Sequence, residues 1–283
     1  MFNPVYALVA ALIWAFSPIY YKGFLEKFDF LSFNFLRMAM SSSVLLVPAL
    51  LFGSGFGPGT GFAVISGIVT LGVGDSMFLL SIRETGASIA APVCYVYVLM
   101  IQLVGVALGQ VVPYGNVVAA VMVVAGVFIL SRSGGGKPRA KGIAFAFAAA
   151  VAWTVGQELI QFATSAGGSI LMITLTRNGS AAVALGVALL VTGRFRRWPS
   201  GLPAKQLGII SFFVLSDLVV GSLLFVYSIS TIGVAVSVIL TSVSPLLTQV
   251  FSRALGKEKP SKQDFAGGAL IVAALVLAIG SSL

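Results

Sequence analysis

The sequence has no histidine and a single cysteine, Cys94. The missing histidine removes the commonest zinc ligand and the usual proton relay near neutral pH. A lone cysteine excludes an intrachain disulfide and a cysteine metal cluster. Charge is scarce too: 9% of residues are charged and 58% are apolar. A soluble globular domain is about 25% charged, so this chain has too little charge to cover a water-facing surface. No G-x-x-x-x-G-K-[ST] stretch occurs, which leaves no phosphate-loop ATPase engine in the chain. Neither a cofactor nor a metal is expected.

What is present is apolar sequence in long unbroken runs, such as "GGALIVAALVLAIG" at 267–280. Mean hydropathy is +1.06. A β-barrel would need segments of about ten residues with alternating polarity. The runs here fit α-helical spans of roughly 20 residues. The fold class is therefore an all-α polytopic membrane protein, with spans expected at 4–21, 30–52, 61–82, 86–108, 114–131, 141–163, 168–192, 206–229, 232–252 and 264–282. The opening "MFNPVYALVAALIW" has no basic leader and reads as the first span, not as a signal peptide. Short connections such as "GQVVP" (109–113) and "STIG" (230–233) make consecutive helices antiparallel neighbours.

The one linker-like segment, "RSGGGKPRAK" at 132–141, lies near the midpoint. It invites a search for an internal repeat. Gly74, Phe78, Ser81, Gly86, Gln102, Gly109 and Pro113 recur at one constant offset as Gly221, Phe225, Ser228, Gly233, Gln249, Gly256 and Pro260. At slightly different offsets Trp14 matches Trp153 and Arg37 matches Arg177. The expected organisation is a first five-helix repeat at 1–131, the basic Gly-rich linker at 132–141, and a second five-helix repeat at 142–283. An odd number of spans turns the second copy upside down, giving an inverted-topology repeat like those of many secondary transporters.

Net charge is +9, from 17 Lys+Arg against 8 Asp+Glu. No basic run is interleaved with exposed aromatics, so nucleic acid is not an expected partner. Loops after the odd-numbered spans hold every basic residue except Arg37 and Arg177, which lie within spans; both termini hold none. By the positive-inside rule the 132–141 loop is expected in the cytoplasm and both termini outside.

Trp14 with Arg37, echoed by Trp153 with Arg177, is one of several patterns that resemble a known family. The others are "GDSMFLLSIRETGASIAAP" (74–92) and the long stretch 226–278, with Pro245 and the G-x-E turn at Gly256–Glu258. Together the chain resembles the drug/metabolite transporter superfamily, specifically its ten-span EamA-type branch. The resemblance implies export or import of small metabolites such as amino acids at a cell membrane, driven by a gradient or by exchange. Two features depart from the family pattern. Its Gly-Glu turn in the first half reads Gly109-Gln110 here, and its members often carry their positive loops on the opposite side.

A charge at the centre of a spanning helix costs about 2.5–3.5 kcal/mol on insertion scales. Arg37, Asp75, Glu158, Arg177 and Asp217 therefore need a partner, water or a function. Thr154, Gln157, Glu158 and Gln161 form a polar stripe at helical spacing, expected to face a water-lined cavity. Tyr95, Gln102 and Gln249 complete the candidate substrate or ion contacts, with Tyr97 and Tyr227 as further tyrosines that would line a pocket or pack. The arginines suit a substrate carboxylate or an internal aspartate partner. Asp217 suits proton coupling, with exchange as the alternative. The expected partners are a small-molecule substrate and the lipid bilayer, with the chain a monomer or homodimer.

The "GVGD" at 72–75 also allows a rival reading, an intramembrane aspartyl protease using Asp75 and Asp217. Such an enzyme needs two carboxylates close enough to share a proton, with a Pro-Ala-Leu after the G-x-G-D. Here the Pro-Ala-Leu, 48–50, precedes it. Gly74 recurs at Gly221, which suits helix packing better than catalysis. The expectation is a secondary transporter and no enzyme.

Overall fold

The structure, a computed structural model, describes residues 3–17, 24, 28–53, 55–132, 139–194, 203–254 and 262–282. Much of the basic linker, the side chain of Gln249 and several loop lysines lie outside these residues. All regular structure among the described residues is helical.

In chain order the helices are α1 (Val5–Trp14), α2 (Phe30–Phe52), α3 (Thr60–Ser66), α4 (Asp75–Thr85), α5 (Ala87–Tyr95), α6 (Tyr97–Ala107), α7 (Tyr114–Ser131), α8 (Ala140–Ser165), α9 (Ile170–Val191), α10 (Ala204–Val214), α11 (Ser222–Thr241), α12 (Ser244–Ala254) and α13 (Lys262–Ser282). A π-helical segment, Gly67–Gly74, joins α3 to α4; a second, Leu215–Gly221, joins α10 to α11. Among the described residues, eight helical stretches are long and apolar enough to cross a membrane. α1 is shorter.

The spans expected at 206–229 and 232–252 both fall within the apolar stretch Ala204–Thr248, and the helix is broken between them. The chain turns inside it at Gly233, whose φ of 79° and ψ of 160° are not helical. Gly86 does the same between α4 and α5, with φ 85° and ψ 155°. Only glycine adopts this backbone without a steric penalty, so the break needs no separate loop.

Burial is inverted relative to a soluble protein. Leu50, Phe52 and Val191 are 76%, 80% and 82% exposed, while Asn34, Ser41, Gln102, Asn116, Thr174, Asn178 and Ser237 are fully buried. Lipid satisfies the first group and cannot satisfy the second. The chain is an integral membrane protein.

Small residues set the helix spacing, as is usual between membrane helices. α7 and α13 meet at Gly126 and Gly267, where a side chain on Gly126 would lie 2.9 Å from the Gly267 carbonyl oxygen. Gly67 lies against the backbone carbonyl of Arg177, and Gly156 against Thr70, both too close for any side chain. Ser66 then bonds the Gly156 carbonyl at 2.7 Å. This contact wedges the first π segment between α8 and α9. Gly67→Ala should therefore lower stability by about 1–3 kcal/mol, the usual cost of overpacking. The check is thermal unfolding of the purified variant in detergent; an unchanged midpoint would show that the contact is loose.

Candidate functional site

Both π segments are partly buried, through Thr70 and Leu71 in the first and Asp217 and Leu218 in the second. Each widens the helix by one residue per turn and interrupts the regular i→i−4 bonding. Carbonyls in these segments accept bonds from side chains of other helices. Asn34 donates to the Leu71 carbonyl at 2.7 Å, and Asn178 to the Leu218 carbonyl at 2.8 Å. Leu71 and Leu218 stand at the same offset as Gly74 and Gly221.

A pair of tryptophans repeats the correspondence. Trp14 packs on Phe225 and Trp153 on Phe78, each with ring centroids 5.1 Å apart at 60°. A side chain on Gly221 or on Gly74 would approach the matching indole to 2.6 Å, so both glycines admit the ring. Each indole N–H donates a bond of 3.1 Å. Trp14 reaches the backbone carbonyl of Asp217, whereas Trp153 reaches Oδ1 of Asp75. The difference follows from sequence: the aspartate directly follows Gly74 in the first half but lies four residues before Gly221 in the second.

Between the two tryptophans lies a cavity of about 220 Å³. Arg37, Asp75, Tyr95, Gln157, Arg177 and Asp217 line it, all of them sequence candidates. Asp75 Oδ2 lies 3.7 Å from Arg37 Nη1, and Asn34 accepts from the same nitrogen at 3.3 Å. Arg177 donates from Nε to Ser66 at 3.0 Å, which fixes the guanidinium near the first π segment. Asp75 also interacts electrostatically with Arg177. Two arginines and two aspartates thus share one small space. Each oxygen of Asp75 already has a partner, Trp153 or Arg37, which does not suit a proton shared with a second aspartate.

Ser17 Oγ, Thr70 Oγ1 and Gln157 Oε1 line the same cavity and have no hydrogen-bond partner among the described residues. Buried polar groups are normally satisfied, so these three are positioned for water or a polar solute. Trp14, Ser17, Thr70, Phe78, Trp153, Ser222 and Phe225 also line the cavity but were not candidates from sequence. The recurrence of Trp14/Trp153 and Phe78/Phe225 was the available signal.

Three candidates lie elsewhere. Gln102 is fully buried and bonds the carbonyls of Val98 and Ala235 at 3.3 and 3.0 Å, tying α6 to α11. Glu158 accepts a 2.8 Å bond from Gln110 and does not line the cavity. Gln161 accepts from the Val234 N–H at 2.8 Å, satisfying the backbone beside the Gly233 turn. The polar stripe of α8 therefore divides, because neighbours such as 157 and 158 point in different directions on a helix. Tyr95 and Tyr97 both line the cavity, with rings 6.0 Å apart. Tyr227 pairs instead with Tyr6 at 4.6 Å.

The EamA-like transporter family matches this chain twice, over residues 2–132 and 140–280. An uncharacterized transporter of Archaeoglobus fulgidus is 27% identical over 168 residues, 58% of this chain and 60% of that protein. The match thus spans less than two thirds of the relative's length. A solved crystal structure superposes with a TM-score of 0.81, covering 98% of this chain and 97% of its own, at 19% identity. At that identity the likeness concerns the fold alone.

Proposed function

The chain belongs to the EamA-like transporter family, and from that premise we propose that it is a secondary transporter of small, amino-acid-like metabolites. Membrane transport, not enzymatic catalysis, follows from the family and the relative. The observation that carries the substrate reading is the cavity itself. It offers arginines for a carboxylate, aspartates for an ammonium group, and unpartnered Ser17, Thr70 and Gln157 oxygens for further polar atoms. The flanking Trp14, Phe78, Trp153 and Phe225 suit an apolar portion of the solute.

The mechanism we infer is alternating access between two five-helix halves of opposite orientation, ten spans in all, at the cell membrane. Support comes from the paired π segments, the paired Trp–Phe contacts and the paired glycine turns. A rocking motion of one half against the other would expose the central cavity to each side in turn. Asp217 is the coupling candidate, and Asp75 the partner of Arg37. The reading is tested by reconstitution into liposomes with a panel of amino acids and related metabolites. Saturable uptake or exchange of one of them is the expected result. Failure across the panel, with peptide cleavage lost in Asp75→Ala, would favour the protease instead.

The orientation follows the charges rather than the family pattern. The 132–141 loop faces the cytoplasm and the termini face outside. A cysteine introduced at Ser133, in a Cys94→Ser background, should be protected from an impermeant reagent in intact cells. Ready labelling would reverse the assignment.

A further inference from the structure

A second, larger recess of about 700 Å³ lies on the side of the molecule, between α5–α6 and α7. Ile89, Pro92, Val96 and Leu99 line one wall, and Val121, Ala125, Phe128 and Arg132 the other. Spacings of three and four residues place each set on a single helix face. α13 covers the opposite side of α7, through Gly126 against Gly267 and Ile271. Among the described residues nothing covers the groove face of α7 in this way, and Val121 and Phe128 are about half exposed there.

The dimensions of the groove match one leaflet. Leu99 and Val121 lie at its inner end; Ile89 and Arg132 lie at the end beside the basic linker. Ten or eleven residues at 1.5 Å each give a length of about 15 Å, and the hydrocarbon core is about 30 Å thick. The walls are apolar along this length except at the mouth, where Ser131 and Arg132 stand. The guanidinium of Arg132 lies 5.3 Å over the Phe128 ring, and among the described residues it forms no ion pair. The nearby cations differ: Arg139 and Lys141 each lie 3.8 Å from Glu84.

We propose that this groove holds an acyl chain of one anionic phospholipid, with the lipid phosphate on Arg132, in the leaflet next to the basic loops. The length of one leaflet, an apolar interior and, at the surface end, Arg132 without an ion-pair partner among the described residues together select that occupant. A zwitterionic phospholipid fits the walls, but its headgroup cation offsets the attraction of its phosphate to Arg132, so it gains less at the mouth. A second copy of the chain would need its own apolar ridge with an acidic group placed at Arg132.

The test is native mass spectrometry of the purified full chain, titrated in detergent with phosphatidylglycerol or phosphatidylcholine. One basic residue at a membrane surface favours an anionic lipid by about fivefold. Phosphatidylglycerol should therefore bind about fivefold more tightly than phosphatidylcholine, and Arg132→Gln should bring the two to parity. Ala125→Trp, which fills the groove, should weaken both. An unchanged phosphatidylglycerol preference in Arg132→Gln would overturn the assignment, and that variant is at the surface and leaves the helix packing intact. Dimers that Arg132→Gln or Ala125→Trp dissociates, in place of lipid adducts, would overturn it as well and identify the groove as a contact between copies.

Discussion

Replacing Asp217 with asparagine should leave solute exchange intact and abolish accumulation driven by a pH gradient. Asp217 is 4% exposed and shares its cavity with Arg37, Asp75 and Arg177. A buried carboxylate is stabilised as the neutral acid by desolvation and as the anion by nearby arginines. Opening the cavity to one side and then the other changes that balance, which is what loading and releasing a proton requires. Asparagine keeps the size and one acceptor oxygen but cannot carry the proton. A gradient of one pH unit stores about 1.4 kcal/mol per proton, equivalent to about tenfold accumulation for one-to-one coupling. Asp217→Asn should lose that factor, whereas Asp75→Asn should retain it for whatever solute it still moves. Full proton-driven accumulation by Asp217→Asn would return Asp217 to a structural role.

The second large effect concerns the Arg37–Asp75 pair. Their side chains are only 9% and 18% exposed. Removing one partner of a buried pair costs about 3–5 kcal/mol, because the other charge is stranded. The 3.7 Å separation is longer than a direct hydrogen bond, which places the expected loss for Arg37→Gln at about 3 kcal/mol. Adding Asp75→Asn to that variant removes the stranded charge and should recover much of the stability. If Arg37 also binds the substrate carboxylate, the double variant should remain inactive. Recovered stability together with recovered transport would make the pair purely structural.

Much of the fold was legible because bilayer thickness imposes a length on every span, and turn glycines punctuate the sequence. The junction expected at "STIG" lies where the sequence placed it, but the break is a single glycine, Gly233, and not a separate loop. The π segments had no sequence signature. A single extra residue in a helical turn is stabilised by the donors it meets, here Asn34 and Asn178, and these come from distant helices. The charged residues that line the cavity stood out in the sequence because charge is so costly in lipid that few positions carry it. Glu158 was grouped with Gln157 on spacing alone. One helical step separates their directions, and the partner that claims Glu158, Gln110, lies in a connection 48 residues away. The aromatic walls were missed as site residues because tryptophan and phenylalanine are unremarkable in an apolar chain unless their recurrence is weighed.

The central claim is that solute passes through the cavity between Trp14 and Trp153. It is tested most directly by counterflow of a transported metabolite in liposomes, comparing the wild-type chain with Gln157→Trp and Glu158→Gln. Gln157 lines the cavity, and a tryptophan there fills it; Glu158 lies outside it, and glutamine preserves its bond to Gln110. The account predicts saturable exchange in the wild type and in Glu158→Gln, and none in a folded Gln157→Trp. Exchange that continues unchanged through Gln157→Trp would contradict it and place the pathway elsewhere in the molecule.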